Sequence, residues 1–156
     1  METPIKIQTI KADDRAEELL MSSLVDTVKF ISLDNRELVG SVDQILWTKD
    51  RLLVLDSRRT KKIFIYTIDG KLITSIESGS GEPGKFVWPY APTLSTDEKS
   101  FFVVSDATKR ILQYDMDGGL LTDSDISHLG QVDDMIATKN GFAFSLKQDS
   151  HSSINI

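Results

Sequence analysis

The sequence predicts an all-β chain made of repeated four-stranded antiparallel meanders, and three observations predict it. Apolar, β-rich runs of about five residues alternate with turn chemistry. The pattern recurs: Tyr66 and Tyr114 are 48 residues apart, and so are Gly70 and Gly118. That period falls in the roughly 40–50-residue range of propeller blades, and internal repetition outranks any single-site motif because it fixes the architecture.

The first full copy runs from Leu52 to Phe86. Leu52-Leu53-Val54-Leu55-Asp56 is a short apolar run ending in an acid, and Ser57-Arg58-Arg59-Thr60-Lys61 is a basic turn. Lys62-Ile63-Phe64-Ile65-Tyr66 follows, then the hairpin turn Asp69-Gly70, then Lys71-Leu72-Ile73-Thr74-Ser75-Ile76. Glycine suits that turn because it adopts positive φ without steric cost. The second copy reads Phe101 to Asp106, Arg110-Ile111-Leu112-Gln113-Tyr114, Asp117-Gly118 and Leu120-Leu121-Thr122. A third, weaker copy starts at Gly141-Phe142-Ala143-Phe144-Ser145-Leu146 and runs to Ile156.

Strands are expected at about 42–48, 52–56, 62–67 and 71–77 in the first copy. The second copy gives 91–95, 101–105, 110–114 and 120–125, and the third 132–138, 141–146 and 152–156. Ahead of them, Ile5-Lys6-Ile7-Gln8-Thr9-Ile10 and Val28-Lys29-Phe30-Ile31-Ser32-Leu33 alternate with period two and read as strands. A turn of helix is expected around residues 19–25. The chain is read as an N-terminal extension, 1–27, and one domain of blades, 28–156. Together the strands make about three blades, half of a six-bladed ring.

Composition is that of an ordinary globular chain, 40% hydrophobic and 27% charged. The formal net charge of -6 argues against nucleic acid, whose binders are more often basic. With no cysteine, disulfides, thiolate catalysis and cysteine-ligated zinc are excluded. No run of about 18 apolar residues predicts a membrane-spanning helix. Met1-Glu2-Thr3-Pro4 lacks the basic and apolar regions of a signal peptide.

The order apolar strand–Asp, basic turn, Ile-x-x-Tyr, Asp-Gly, strand, then Gly79-Ser80-Gly81-Glu82-Pro83-Gly84-Lys85-Phe86 resembles the NHL-type β-propeller repeat. The lead-in from Leu24 to Leu33 is similar to that of six-bladed propellers of the bacterial cell envelope, often lipoproteins. The resemblance covers roughly residues 24–146. It implies an extracytoplasmic location, in the periplasm or cell envelope, and relatives more than twice as long.

Several motifs invite sharper readings. Gly79 to Lys85 nearly spells a phosphate loop, but Phe86 stands where Ser or Thr must hold magnesium, and Pro83 removes an N–H from the cradle. Asp56 and Asp106 look like paired acids at one place in successive repeats, best read as caps of their turns. Asp115-x-Asp117 and Asp123-x-Asp125 resemble the start of a calcium loop, but the glycine and the distal glutamate are misplaced for one. His128 and His151 have no partner at metal spacing. Trp47 is expected in the core or lining the channel.

Strand alternation sorts the turns onto two faces. Turns after the second and fourth strands put Arg58, Arg59, Lys61, Lys85, Trp88, Tyr90, Lys109 and His128 on one face. The others put Asp50, Asp69, Asp97, Glu98 and Asp117 opposite. Ligands collect where loops converge on a rigid scaffold. The expected function is therefore a non-enzymatic binding or scaffold module. Its ligand-binding residues would be Arg58, Arg59, Lys61, Lys85, Trp88, Tyr90 and Lys109, its partner a protein, glycan or anionic ligand, with no cofactor and no metal. The alternative is a metal-dependent propeller hydrolase or lyase fragment, for which Gln44, Asp133 and Asp134 are the nearest candidates. A homodimer is expected to close the six-bladed ring, with residues 28–33 of one copy completing the third blade of the other.

Overall fold

A computed structural model of the chain describes residues 25–147. Contacts divide the chain into residues 1–30 and 31–156. In the first unit the described residues, 25–30, are exposed and form no regular element. The expected strand at 5–10, the helical turn before residue 25, and the strand at 152–156 lie outside the described residues.

The second unit holds ten strands among the described residues: β1 (Gln44–Trp47), β2 (Arg51–Asp56), β3 (Lys62–Thr67), β4 (Leu72–Glu77), β5 (Pro89–Leu94), β6 (Ser100–Ser105), β7 (Arg110–Asp115), β8 (Leu120–Asp125), β9 (Val132–Thr138) and β10 (Gly141–Leu146). They form two four-stranded meanders, β1-β2-β3-β4 and β5-β6-β7-β8, and the hairpin β9-β10. Every pairing is antiparallel. All ten were legible within a residue or two, because each is a short apolar run closed by turn residues. Gly70 and Gly118 have φ of 87° and 88°, the left-handed geometry their Asp-Gly turns require.

The sheets stack through their side-chain faces. Leu53, Leu55, Ile63, Ile65 and Ile76 of the first sheet pack on Phe101, Val103, Leu112 and Tyr114 of the second, with Phe86 between them at 0% exposure. The other side of the second sheet, Val104 and Ile111, packs on Val132 and Met135 of the hairpin, and Phe102 meets Phe142 edge-on. Face-to-face stacking of meanders through alternate residues is how blades bury a core that a single sheet cannot.

One expectation is corrected and another narrowed. Residues 28–33 form no strand. Instead Leu33, with Val39, packs on Leu52, Val54, Phe64, Tyr66 and Leu72. Asp34 N–H bonds Gly70 O at 2.8 Å, and Asp34 Oδ2 accepts from Leu72 N at 3.4 Å, so the chain is held by a β-turn and a cap. Trp47, expected in the core or lining the channel, is 63% exposed and so is not a core residue. It stands opposite Leu52 in the register and shares that side of the sheet, whose cluster includes Leu33 and Val39 but not Trp47.

Candidate functional site

One rim of the stacked sheets gathers the turns after β2, β4, β6 and β8, together with the starts of β5 and β9. The first of these turns is organised by Asp56. Its carboxylate accepts from Gly40 N (2.8 Å), Ser41 N (3.0 Å), Ser41 Oγ (2.7 Å), Arg59 N (2.8 Å) and Thr60 Oγ1 (2.9 Å). Burial alone would push its carboxyl pKa up. The hydrogen bonds from Ser41, Arg59 and Thr60 outweigh that and hold it well below the usual carboxylate range. Gly40 is required there, since a Cβ would come within 2.5 Å of Arg59 Cβ. Asp56 thus caps a turn and ties down the segment entering the sheet, as expected.

Its equivalent is not Asp106. The register sets Asp56 opposite Lys62 and Ser105 opposite Arg110, so Ser105 holds the corresponding place. Ser105 Oγ accepts from Val87 N (3.1 Å) and Thr108 Oγ1 (2.7 Å). Asp106 lies one residue on and binds Lys109 Nζ at 2.6 Å. The sequence misled because both runs end in Asp, while the second turn is one residue shorter.

Lys61 and Lys109 adopt the same left-handed conformation, φ 53° and 52°, at the ends of these turns. Lys61 Nζ stands over the Trp88 ring, 4.3 Å from its centroid, a cation–π contact that orients the indole. Trp88 remains 48% exposed. Tyr90 O–H donates to Val132 O at 2.6 Å and also reaches Asp133 O. Burial, then the charges of Asp133, Asp106 and Asp134, push its pKa up to about 12, so it stays a donor at neutral pH. Arg58 pairs with Asp43 at 3.1 Å and Lys147 with Asp133 at 3.8 Å.

Two open depressions adjoin on this rim. One, of about 480 Å3, is lined by Asp43, Gln44, Ser57, Arg58, Tyr90 and Asp133, among others. The other, of about 360 Å3, is lined by Trp88, Tyr90, Asp106, Gln131, Val132 and Lys147. Of the residues expected to form a ligand face, Arg58, Tyr90 and Trp88 line these depressions, and Lys61 supports Trp88. Lys109 is tied to Asp106, whereas Arg59 and Lys85 are exposed beside the depressions rather than in them. His128 lies elsewhere, in an apolar depression with Phe102, Ile111, Phe142 and Phe144. Sequence reasoning missed Gln131 and Lys147, which enter only through the packing of the hairpin.

The rim is not uniformly basic, because Asp43, Asp106 and Asp133 balance its cations. The opposite rim is mixed too: Lys49, Arg51 and Lys99 stand beside Asp50, Asp97 and Glu98, and Arg51 pairs with Asp117 at 3.3 Å. Gln44, Asp133 and Asp134 share one depression. Gln44 Nε2 donates to Pro92 O (3.2 Å), and Asp134 Oδ1 accepts from Met135 N (2.8 Å). Among the described residues no three His, Cys, Asp or Glu converge at metal-binding spacing, and no helix is long and apolar enough to cross a membrane.

Stacked four-stranded meanders joined by inter-blade loops define the β-propeller class. Residues 3–154 match a family described as a six-bladed β-propeller, and the chain belongs to that family. Its fold is similar to the crystal structure of a Bacteroides fragilis protein described as exported, with a TM-score of 0.65 and 16% identity over 79% of this chain. The chain covers 34% of that protein's chain. No curated protein matches it.

Proposed function

We propose that the chain is a non-enzymatic binding or scaffold module of an NHL-type, extracytoplasmic propeller in the cell envelope. Its contact surface is the inter-blade rim carrying Arg58, Arg59, Lys61, Lys85, Trp88, Tyr90 and Lys109. The observation that carries the reading is Trp88: a large aromatic left half exposed, yet held in orientation by Lys61, beside two depressions with polar walls. Exposed aromatics on loops of a rigid scaffold are the usual anchors of recognition. The exported neighbour supports the location. Residues 1–27 form an extension ahead of the blades.

A second copy completes the ring in this reading. The exposed Ile45 and Trp47 of the first sheet face outward from the stack, and Ile136 and Leu146 of the hairpin are exposed at its other end. Closed rings are how propellers protect such surfaces. Light scattering on the full chain tests this part, a stable monomer at micromolar concentration being the contrary result.

The rim itself is tested with a ligand array of anionic glycans, neutral glycans and envelope proteins. Two charge-reversed variants are compared, Arg58→Glu with Arg59→Glu on this rim and Lys49→Glu with Lys99→Glu on the other. Loss confined to the first variant is expected. Loss confined to the second, or no ligand of any class, contradicts the assignment.

A further inference from the structure

We infer that the depression between the second sheet and the hairpin is a binding site for an uncharged sugar ring, with Trp88 as its stacking platform. The inference rests on the binding-module reading above and narrows the ligand to a neutral glycan. Three features of the depression point the same way.

The first is the platform. A pyranose has an apolar face of axial C–H groups and a polar rim of hydroxyls, so it binds where an aromatic plane adjoins polar groups. Lys61 stands over one face of the Trp88 indole at 4.3 Å, which fixes the ring, and nearly half of the side chain stays exposed at the depression wall. A pre-oriented platform loses little conformational entropy on binding.

The second is the set of polar groups. Asp106 offers carboxylate acceptors, Lys147 ammonium donors, and Gln131 both. Hydroxyls donate and accept at once, and this mixed set matches them. A phosphate or sulfate would want donors only. Tyr90 spends its proton on Val132 O, which leaves its oxygen as a further acceptor.

The third is charge balance. Of the charged residues lining the depression, Asp106 is paired with Lys109 at 2.6 Å and Lys147 with Asp133 at 3.8 Å. An anionic ligand would have to draw these cations from their carboxylates, whereas a neutral ligand hydrogen-bonds to groups already in place. The volume of about 360 Å3 sits at the small end of ligand sites, as suits a short stretch of glycan.

Isothermal titration of the full chain tests the proposal, using a panel of neutral gluco-, manno- and galacto-oligosaccharides, with heparin as the polyanionic probe. At least one neutral oligosaccharide should bind saturably, with affinity nearly unchanged between about 0.05 and 0.5 M salt. Trp88→Ala should weaken that binding at least about tenfold. Gln131→Leu, at an exposed position outside every core cluster, should weaken it severalfold, and Trp47→Phe should leave it intact. Binding of heparin alone overturns the sugar assignment and leaves the rim as contact surface. Neutral binding untouched by Trp88→Ala and Gln131→Leu overturns the site, and no binding by any of these probes overturns the sugar assignment and leaves the rim to the envelope-protein arm of the ligand array.

Discussion

The first and second sheets are one design executed twice, and they differ where the incoming segment meets them. Matching positions follow from the register: Leu52 and Phe101, Val54 and Val103, Phe64 and Leu112, Tyr66 and Tyr114 occupy the same side of their sheets. Each sheet has one cation at the start of its third strand, Lys62 or Arg110. In the second sheet Arg110 pairs with Asp123 on the neighbouring strand, and Asp123 also accepts from Gly84 N at 3.0 Å. In the first sheet Ser75 stands in the place of Asp123, and Lys62 is held by two acids, Glu77 on the neighbouring strand at 2.5 Å and Glu37 of the incoming segment. Glu37 accepts from Lys62 Nζ at 3.1 Å and Ser75 Oγ at 2.8 Å. The first sheet thus keeps a strand acid beside its cation and adds a second from the incoming segment.

The tyrosines differ as well. Tyr114 O–H donates to Gly84 O at 3.0 Å. Tyr66 O–H is buried and has no hydrogen-bond partner among the described residues. Burial, then the charges of Glu37 and Asp34, raise its pKa. The stacked position is kept by shape and apolar contact. The polar contacts are local solutions that the repeat does not dictate.

The largest expected difference lies between a covered position and an exposed one. Phe101 is fully buried between the sheets, so Phe101→Ala should cost about 3–5 kcal/mol in denaturant unfolding. Trp47→Ala, at the exposed edge of the side that Leu33 and Val39 cover, should cost about 0.5 kcal/mol or less. A large loss from Trp47→Ala in the monomer would mean that the cover extends over that edge.

Next come the turn caps. Asp56→Ala removes a buried carboxylate with five donors and should cost about 3 kcal/mol or more, whereas Ser105→Ala should cost about 1 kcal/mol. The Asp56 contribution is also pH-dependent. Its folded pKa is depressed, so the stabilisation is fully present above the ordinary value of 3.8 and is lost as pH falls below it. Asp56→Asn should flatten the acid limb of the stability profile, and Ser105→Ala should leave it unchanged.

The smallest and sharpest comparison is between the hydroxyls. Tyr114→Phe should cost about 1 kcal/mol, and Tyr66→Phe should be neutral or slightly stabilising, because it removes a buried group that bonds nothing. Equal costs would place an unseen partner, such as an ordered water, beside Tyr66.

These differences mark how far the sequence could be read. Strands, turns and the stacked sides are periodic features, so runs such as Leu52–Asp56 and the Asp-Gly turns announce them locally. Trp47 was left between core and channel because alternation assigns a side but cannot say what covers it. Residues 28–33 alternate like a strand, yet Leu33 finds its burial against a finished sheet, and backbone pairing is not needed. The rim residues of the turns were legible from alternation, though their pairing with Asp43, Asp106 and Asp133 was not. Gln131 and Lys147 carried no local signal, since only the stacking of the hairpin brings them beside Trp88.

The central claim, that the inter-blade rim is the contact surface, can be read from the chain's two tryptophans. Trp88 stands on that rim, and Trp47 ends β1 beside the opposite one. In a two-dimensional NMR titration of the full chain with neutral oligosaccharide, then with heparin, each indole N–H gives its own resonance. The Trp88 resonance should move with at least one of the two ligands while that of Trp47 stays in place. Movement of Trp47 alone would contradict the rim assignment, and movement of neither would contradict a glycan as its ligand.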